Sequence, residues 1–301
     1  MLSRTAGATG RPPPRSGREF LMIQRTWFIT GVNSGFGYHL TEQLLERGDR
    51  VAGTIRKEGS VDVLNDKYGD RFWTAHLDVT NVPEIKTVVD RAFAELGRID
   101  VVVSNAGYGL FGAAEELTDD QIDHVIATNL TGSIQVIRAV LPHLRAQGGG
   151  RIIQLSTYGG QAAFPGGSMY HATKWGIEGF AEAVGQEVAP FGIGVTIVEP
   201  GGARTEFRYG SSRLGPRLEA YDGTPAAAIR TVIEEGTAIP PGDPAKMAAA
   251  IIASADSDPA PSRIVLGSDS FGIIRNALTQ RLATIESQQA SAAATDFPPG
   301  Q

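Results

Sequence analysis

The sequence predicts one doubly wound α/β domain, a seven-stranded parallel sheet with helices on both faces. Three observations predict it. Short apolar runs alternate with longer segments whose apolar residues recur every three or four positions, the β-α-β order that builds parallel sheets. One run, Ile99-Asp100-Val101-Val102-Val103, is almost wholly apolar, as a strand covered on both faces must be. The first run is followed by three glycines and a helical pattern, a strand-turn-helix geometry whose backbone N–H groups can face an anion.

Composition bounds the possibilities. The 301 residues, 42% hydrophobic and 20% charged, suffice for one large core, and no internal composition break marks a second domain. The absence of cysteine excludes disulfides and thiolate metal sites, and the five histidines lack metal-ligand spacing, so no metal is expected. The net charge of −6 and scattered basic residues argue against a nucleic-acid surface. No apolar run approaches the roughly 18 residues that span a bilayer, so a cytoplasmic protein without a membrane partner is expected. Residues 1–21 hold Pro12-Pro13-Pro14, four arginines and few apolar residues, and read as a disordered leader with Met22 as the natural start. The leader has no apolar core of the secretory kind, and its Arg-rich, acid-poor content makes only a weak case for an organelle transit segment. The catalytic domain is expected over 22–286, with 287–301 a flexible tail.

In chain order, Trp27-Phe28-Ile29 is the first strand, and Thr30-Gly31-Val32-Asn33-Ser34-Gly35-Phe36-Gly37 the phosphate-cradling turn before a helix with Leu40, Leu44 and Leu45. The second strand, Arg50–Ile55, ends at Arg56 and Lys57. An enzyme specific for NAD usually carries a carboxylate here for the ribose diol, whereas a guanidinium suits a 2′-phosphate, so NADP(H) is expected over NAD(H). A third strand, Trp73–Val79, carries Asp78, which could accept from an adenine amino group. A helix with Ile85, Val88, Val89, Ala92 and Phe93 leads to the fourth strand, which opens into Ser104-Asn105-Ala106-Gly107, small enough for a flat cofactor to lie against. A long helix over 119–146 contains Asn129, an unfavourable mid-helix residue unless its side chain has a task.

Gly148-Gly149-Gly150 ends that helix, and the fifth strand, Arg151–Leu155, delivers Ser156 and Thr157 at its carboxyl end, where open α/β sheets bind ligands. Next, Tyr170 and Lys174 stand four apart in a helical pattern and share one face. An ammonium about 4 Å from a phenol at an effective dielectric of about 20 contributes roughly 4 kcal/mol, so a lowered Tyr170 pKa is expected. The sixth strand, Val195–Val198, runs into Glu199-Pro200-Gly201-Gly202 and Thr205. Residues 204–244, rich in Gly, Pro and Arg, read as a substrate-covering lid. A helix over 244–255 and a strand at 263–266 complete the alternation.

Taken together, Thr30-Gly31 to Gly37, Asp78, Asn105-Ala106-Gly107, Asn129, Tyr170 to Lys174 and Pro200-Gly201 resemble the short-chain dehydrogenase/reductase family over roughly residues 24–280. The resemblance implies a Rossmann-type fold and a reversible NADP-dependent oxidoreductase acting on a small-molecule carbonyl or alcohol. It implies Tyr170 as proton donor or acceptor, Lys174 holding the nicotinamide ribose and lowering the Tyr pKa, Asn129 supporting a water that leads to the Lys, and a homodimer or homotetramer built on the helices at 119–146 and 170–189. The cofactor would contact Gly31, Asn33, Ser34, Gly35, Phe36, Gly37, Arg56, Asp78, Val79, Asn105, Ala106, Gly107, Tyr170, Lys174, Pro200, Gly201 and Thr205. The family's substrate-orienting serine lies thirteen residues before the Tyr, a count that lands here on Thr157, with Ser156 the alternative. Ser104 is a second, minor departure, where the family usually has Asn. Phe111, Phe164, Met169 and Phe207 are candidates for an apolar substrate pocket. A non-catalytic dinucleotide-sensing regulatory protein on the same fold is the competing function.

Overall fold

The computed structural model describes residues 24–236 and 239–297. The leader 1–21, Met22 and the last four residues of the expected tail lie outside the described residues. In chain order the strands are β1 (Thr26–Thr30), β2 (Arg50–Ile55), β3 (Phe72–His76), β4 (Val101–Ser104), β5 (Leu110–Phe111), β6 (Gly150–Leu155), β7 (Ile193–Pro200), β8 (Arg213–Leu214) and β9 (Arg263–Leu266). Seven form one parallel sheet in the order β3-β2-β1-β4-β6-β7-β9; β5 and β8 pair apart from it. The chain runs outward from β1 to β3, then returns to start β4 on the other side of β1. That reversal opens the crevice in which doubly wound sheets hold ligands.

The helices are α1 (Gly35–Arg47), α2 (Asp62–Tyr68), α3 (Val82–Leu96), α4 (Asp119–Ile126), α5 (Ser133–Ala146), α6 (Ser168–Val188), α7 (Ala228–Glu235), α8 (Pro244–Ala255), α9 (Ser268–Glu286) and α10 (Gln289–Ala293). Successive strand residues point to opposite faces, and the core divides accordingly. Trp27, Ile29, Val101 and Ile153 join Leu40, Leu44, Leu64 and Ile251 from α1, α2 and α8. Phe28, Val102 and Ile152 join Val88, Val140 and Val184 from α3, α5 and α6. Burying such a side chain contributes roughly 2 kcal/mol, so a one-residue register slip would exchange the two cores and lose both.

Four sequence expectations change. The third strand stops at His76, leaving Asp78 and Val79 in the connection beyond its carboxyl end. The helix over 119–146 is interrupted by a π-helical turn, Ala127–Gly132, between α4 and α5. This 28-residue stretch is by length and composition long and apolar enough to cross a membrane, contrary to the sequence estimate; Val136, Ile137, Val140 and Leu144 are instead committed to the core. Finally, α9 continues the chain after β9, and α10 falls in the stretch expected to be loose. Of the apolar side chains of α9, Phe271, Leu278, Leu282 and Ile285 are exposed and Ile274 is buried, so no continuous inward stripe announced it.

Candidate active site

A cavity of about 390 Å³ lies across the carboxyl ends of β1, β2, β4, β6 and β7. At one end its wall is backbone. Gly31 and Gly35 take φ of +73° and +55°, conformations that exclude most side chains. Helix α1 begins at Gly35 with no side-chain cap on its N-terminus, and Asn33, Ser34, Gly35 and Phe36 line the cavity there. Uncapped N–H groups and the helix dipole suit a phosphate. Gly37 is not in the wall: a Cβ on it would sit 2.0 Å from the Gly31 carbonyl, so its role is the close packing that holds the turn. Asn105 braces the same turn, its Nδ2 donating to the carbonyls of Thr30 at 2.9 Å and Gly31 at 3.1 Å. Thr30 Oγ1 accepts from the backbone N–H groups of Asn105 and Ala106, a brace that sequence reading missed.

Arg56, Asp78, Val79, Ala106 and Gly107 line the cavity next to this turn. Burial would raise the Asp78 carboxyl, but the Thr80 backbone N–H and hydroxyl, with Arg56 nearby, hold it below its ordinary value. These features fit a dinucleotide: uncapped helical N–H groups for the phosphates, a carboxylate beyond β3 and a guanidinium beyond β2.

At the other end stand the chemical groups. Tyr170, Lys174 and Thr157 all line the cavity and are buried. The Thr157 hydroxyl lies within hydrogen-bond reach of the Tyr170 phenol and of the Pro200 carbonyl, 3.3 Å away. Ser156 is turned the other way and donates to the buried Glu178, so Thr157 is the hydroxyl beside the phenol. Glu178 is in turn paired with Arg263, which also holds Glu199 at 2.6 Å. That buried pair of carboxylates around one guanidinium locks the ends of β6, β7 and β9 together.

Asn129 lies behind the wall rather than in it. The π turn aims its side chain at Tyr108, whose backbone N–H donates to Asn129 Oδ1 at 3.0 Å and whose carbonyl accepts from Asn129 Nδ2 at 2.8 Å. Single π turns are common where a helix must redirect one side chain. Gly132 makes this turn possible, since a Cβ there would lie 2.7 Å from the Val79 carbonyl.

The expected lowering of the Tyr170 pKa is corrected. Burial pushes the phenol well above its ordinary value, Tyr158 adds to the rise, and the Thr157 hydrogen bond opposes it. Lys174 Nζ sits 5.9 Å from the ring centroid and donates to the Leu155 carbonyl at 3.0 Å. Burial also lowers the ammonium, to about 8, against the pull of Glu178. Desolvation sets both shifts, and no attraction between the two groups offsets it.

Phe111, Phe164 and Phe207 line the cavity as expected, joined by Tyr158 and Ile229. Met169 does not; it packs with Leu110, Leu117 and Val125 in a separate cluster, because adjacent helical residues face about 100° apart. The lid is more ordered than its composition suggests. It contains a π-helical turn at Phe207–Ser211, β8 and α7, and it is fastened by a buried ion pair between Arg230 and Glu116 at 3.2 Å.

The short-chain dehydrogenase family model matches residues 25–213. The chain belongs to the short-chain dehydrogenase family. This dehydrogenase is 36% identical over 248 residues to oxidoreductase BOA17 of Botryotinia fuckeliana, covering 82% of this chain and 90% of that one. It is 38% identical over 183 residues to 3-ketodihydrosphingosine reductase of Bacteroides thetaiotaomicron, covering 60% and 64%. A short-chain dehydrogenase from Streptomyces avermitilis has the same architecture, with a TM-score of 0.85 and 36% identity over 91% of this chain and 99% of that one. The dehydrogenase is thus an NAD(P)-dependent oxidoreductase, which decides against the non-catalytic reading.

Proposed function

We propose that this dehydrogenase interconverts a carbonyl and a secondary alcohol with NADP(H) in preference to NAD(H), using Tyr170 as general acid and base. The observation that carries the chemistry is the convergence of three buried groups, the Tyr170 phenol, the Thr157 hydroxyl and Lys174, on one end of a cavity whose other end suits a dinucleotide. NADP(H), when bound, would supply hydride to a carbonyl carbon or accept it from an alcohol carbon. Tyr170 supplies the proton at the oxygen, and Thr157 holds that oxygen in place. The raised phenol pKa keeps Tyr170 protonated at neutral pH, the state needed to donate to an alkoxide. Lys174, lowered to about 8 and still mostly charged at pH 7, stabilises the phenolate left behind. Asn129 holds the Tyr108 backbone and keeps the cavity wall in register.

The cofactor preference rests on Arg56, which lines the cavity just past the end of β2, the position where an NAD-specific enzyme usually carries its carboxylate. That a relative is named 3-ketodihydrosphingosine reductase supports carbonyl reduction. The exposed apolar side of α9 supports a homodimer or homotetramer, for which light scattering of the purified protein is the test.

Fluorescence titration with NADPH and NADH tests the cofactor assignment. NADPH is expected to bind at least about tenfold more tightly, a difference worth roughly 1.4 kcal/mol, and Arg56→Ala should abolish the gap. Equal affinities in the wild type would refute the preference. Tyr170→Phe, which removes one hydroxyl, is expected to lower kcat by about 10²–10⁴ while leaving NADPH affinity intact. Full activity in that variant would exclude Tyr170 as the proton donor.

A further inference from the structure

We infer that the carbonyl compound is bulky and apolar, a ketone of a hydrocarbon chain or ring rather than a small keto acid or a sugar. The inference rests on the oxidoreductase reading of the same cavity. Four separate segments bring aromatic rings to the end that holds Tyr170. Phe111 of β5 lies 5.5 Å from the Tyr170 ring, and Phe207 of the lid lies 5.8 Å from it, both tilted by just over 50°. Phe164 comes from the loop before α6 and Tyr158 from the turn after β6, their rings 6.0 Å apart. Ile229 of α7 adds an aliphatic side chain to the wall. An oxygen placed at Thr157 and Tyr170 would therefore carry a carbon skeleton bounded by aromatic and aliphatic surface.

One hydroxyl at this end is already engaged. Ser212 Oγ donates to the Phe207 carbonyl at 2.8 Å, inside the lid itself. Among the charged residues lining the cavity, Arg56 and Asp78 lie at the dinucleotide end, Lys174 donates to Leu155, and Arg213 is solvent-exposed. Among the described lining residues, no buried cation other than Lys174 stands beside the rings to pair with a substrate carboxylate, and a sugar would leave its hydroxyls facing rings.

The wall is also preformed. His171, buried beside Tyr170, engages the Gly159 carbonyl through Nδ1 at 2.8 Å and accepts from the Phe164 backbone N–H through Nε2 at 3.3 Å. Its ring meets Phe164 edge-on at 4.1 Å. Gly159 and Gly167 leave room for it, since a Cβ at either would come within 2.8 Å of the imidazole. His171 is thus a positioning residue for Phe164. Burial lowers its pKa, so it adds no charge to the apolar end at neutral pH.

A homologous series of 2-alkanones, from butanone to decanone, measured with NADPH on the full-length protein alongside pyruvate and dihydroxyacetone, tests the inference. Each methylene buried is worth roughly a fourfold gain. The expected result is that kcat/KM climbs by about that factor per carbon until the cavity is filled, with both polar compounds below butanone. Phe207→Ala and Phe164→Ala should flatten the climb. His171→Leu should raise KM for the long ketones more than it lowers kcat, as expected of a residue acting through Phe164. A flat series, or pyruvate or dihydroxyacetone as the better substrate, overturns the apolar class while leaving the oxidoreductase reading in place. NADPH binding without turnover of any ketone also overturns the apolar class, and failure to bind NADPH or NADH removes the reading beneath it.

Discussion

At the dinucleotide end of the cavity the wall is largely main chain: the turn through Gly31 and Gly35, the uncapped start of α1, and the strand-end loop at Asn105-Ala106-Gly107. At the carbonyl end it is side chain: Phe111, Tyr158, Phe164, Phe207 and Ile229, drawn from segments as much as 118 residues apart. Main-chain sites are rigid where neighbouring backbone crowds them, as at Gly37. Side-chain sites are rigid only as far as their supports are, and here the supports are a buried ion pair and a buried histidine. The cofactor end should therefore fail abruptly when disturbed, and the substrate end by degrees.

The largest effect is expected from Gly37→Ala. The new methyl would lie 2.0 Å from the Gly31 carbonyl and 2.8 Å from Asn105 Nδ2, so the turn or α1 must move. Overpacking of this kind costs about 1–3 kcal/mol, and NADPH affinity should fall by about 10- to 100-fold with little change in the preference for long ketones. Calorimetry that finds unchanged affinity would show the cofactor end to be softer than described.

A smaller effect is expected from Arg230→Met. Its guanidinium donates to the Gly215 carbonyl at 2.9 Å and pairs with Glu116. Burial would raise the Glu116 carboxyl, but the Leu218 and Ala113 backbone N–H groups together with Arg230 hold it below its ordinary value. Losing the arginine leaves Glu116 two backbone donors, so the lid should loosen rather than unfold. The expected outcome is a KM for the carbonyl compound raised roughly tenfold, within the about 3–5 kcal/mol bound for breaking a buried pair, with NADPH affinity within about twofold of wild type. Equal losses in both would erase the distinction between the two ends.

The third effect leaves binding aside and is a pH dependence of stability. Lys174 falls from 10.5 in the unfolded chain to about 8 in the fold because burial disfavours its charge. The folded state therefore sheds this proton first. The charged lysine costs on the order of 3 kcal/mol at and below pH 8, a cost relieved as pH rises toward 10.5. Tyr170 acts in the opposite sense, but only above pH 10, where the unfolded chain loses a phenol proton that the fold retains. Between pH 8 and 10 the wild type should gain thermal stability relative to Lys174→Met. Parallel melting profiles across that window would show that Lys174 is solvated as an ordinary surface lysine.

The alternation of seven strands with helices, the glycine turn, Asn105-Ala106-Gly107, and Tyr170 with Lys174 on one helix were all legible in the sequence. Each is set by local rules: period two or period 3.6, a glycine where φ is positive, four residues per shared helical face. The structure decided what depends on long-range packing. It turned Ser156 toward Glu178 and Thr157 toward Tyr170, although the two are adjacent, because consecutive residues at a strand end point to opposite sides. It put a π turn at Asn129, drew Phe111 and Phe207 against the Tyr170 ring, and sent Met169 elsewhere. It also reversed the expected shift of the Tyr170 phenol. The four-residue spacing determined that ammonium and phenol would be neighbours, but the balance between their attraction and the desolvation of both depends on burial, which the tertiary fold alone creates.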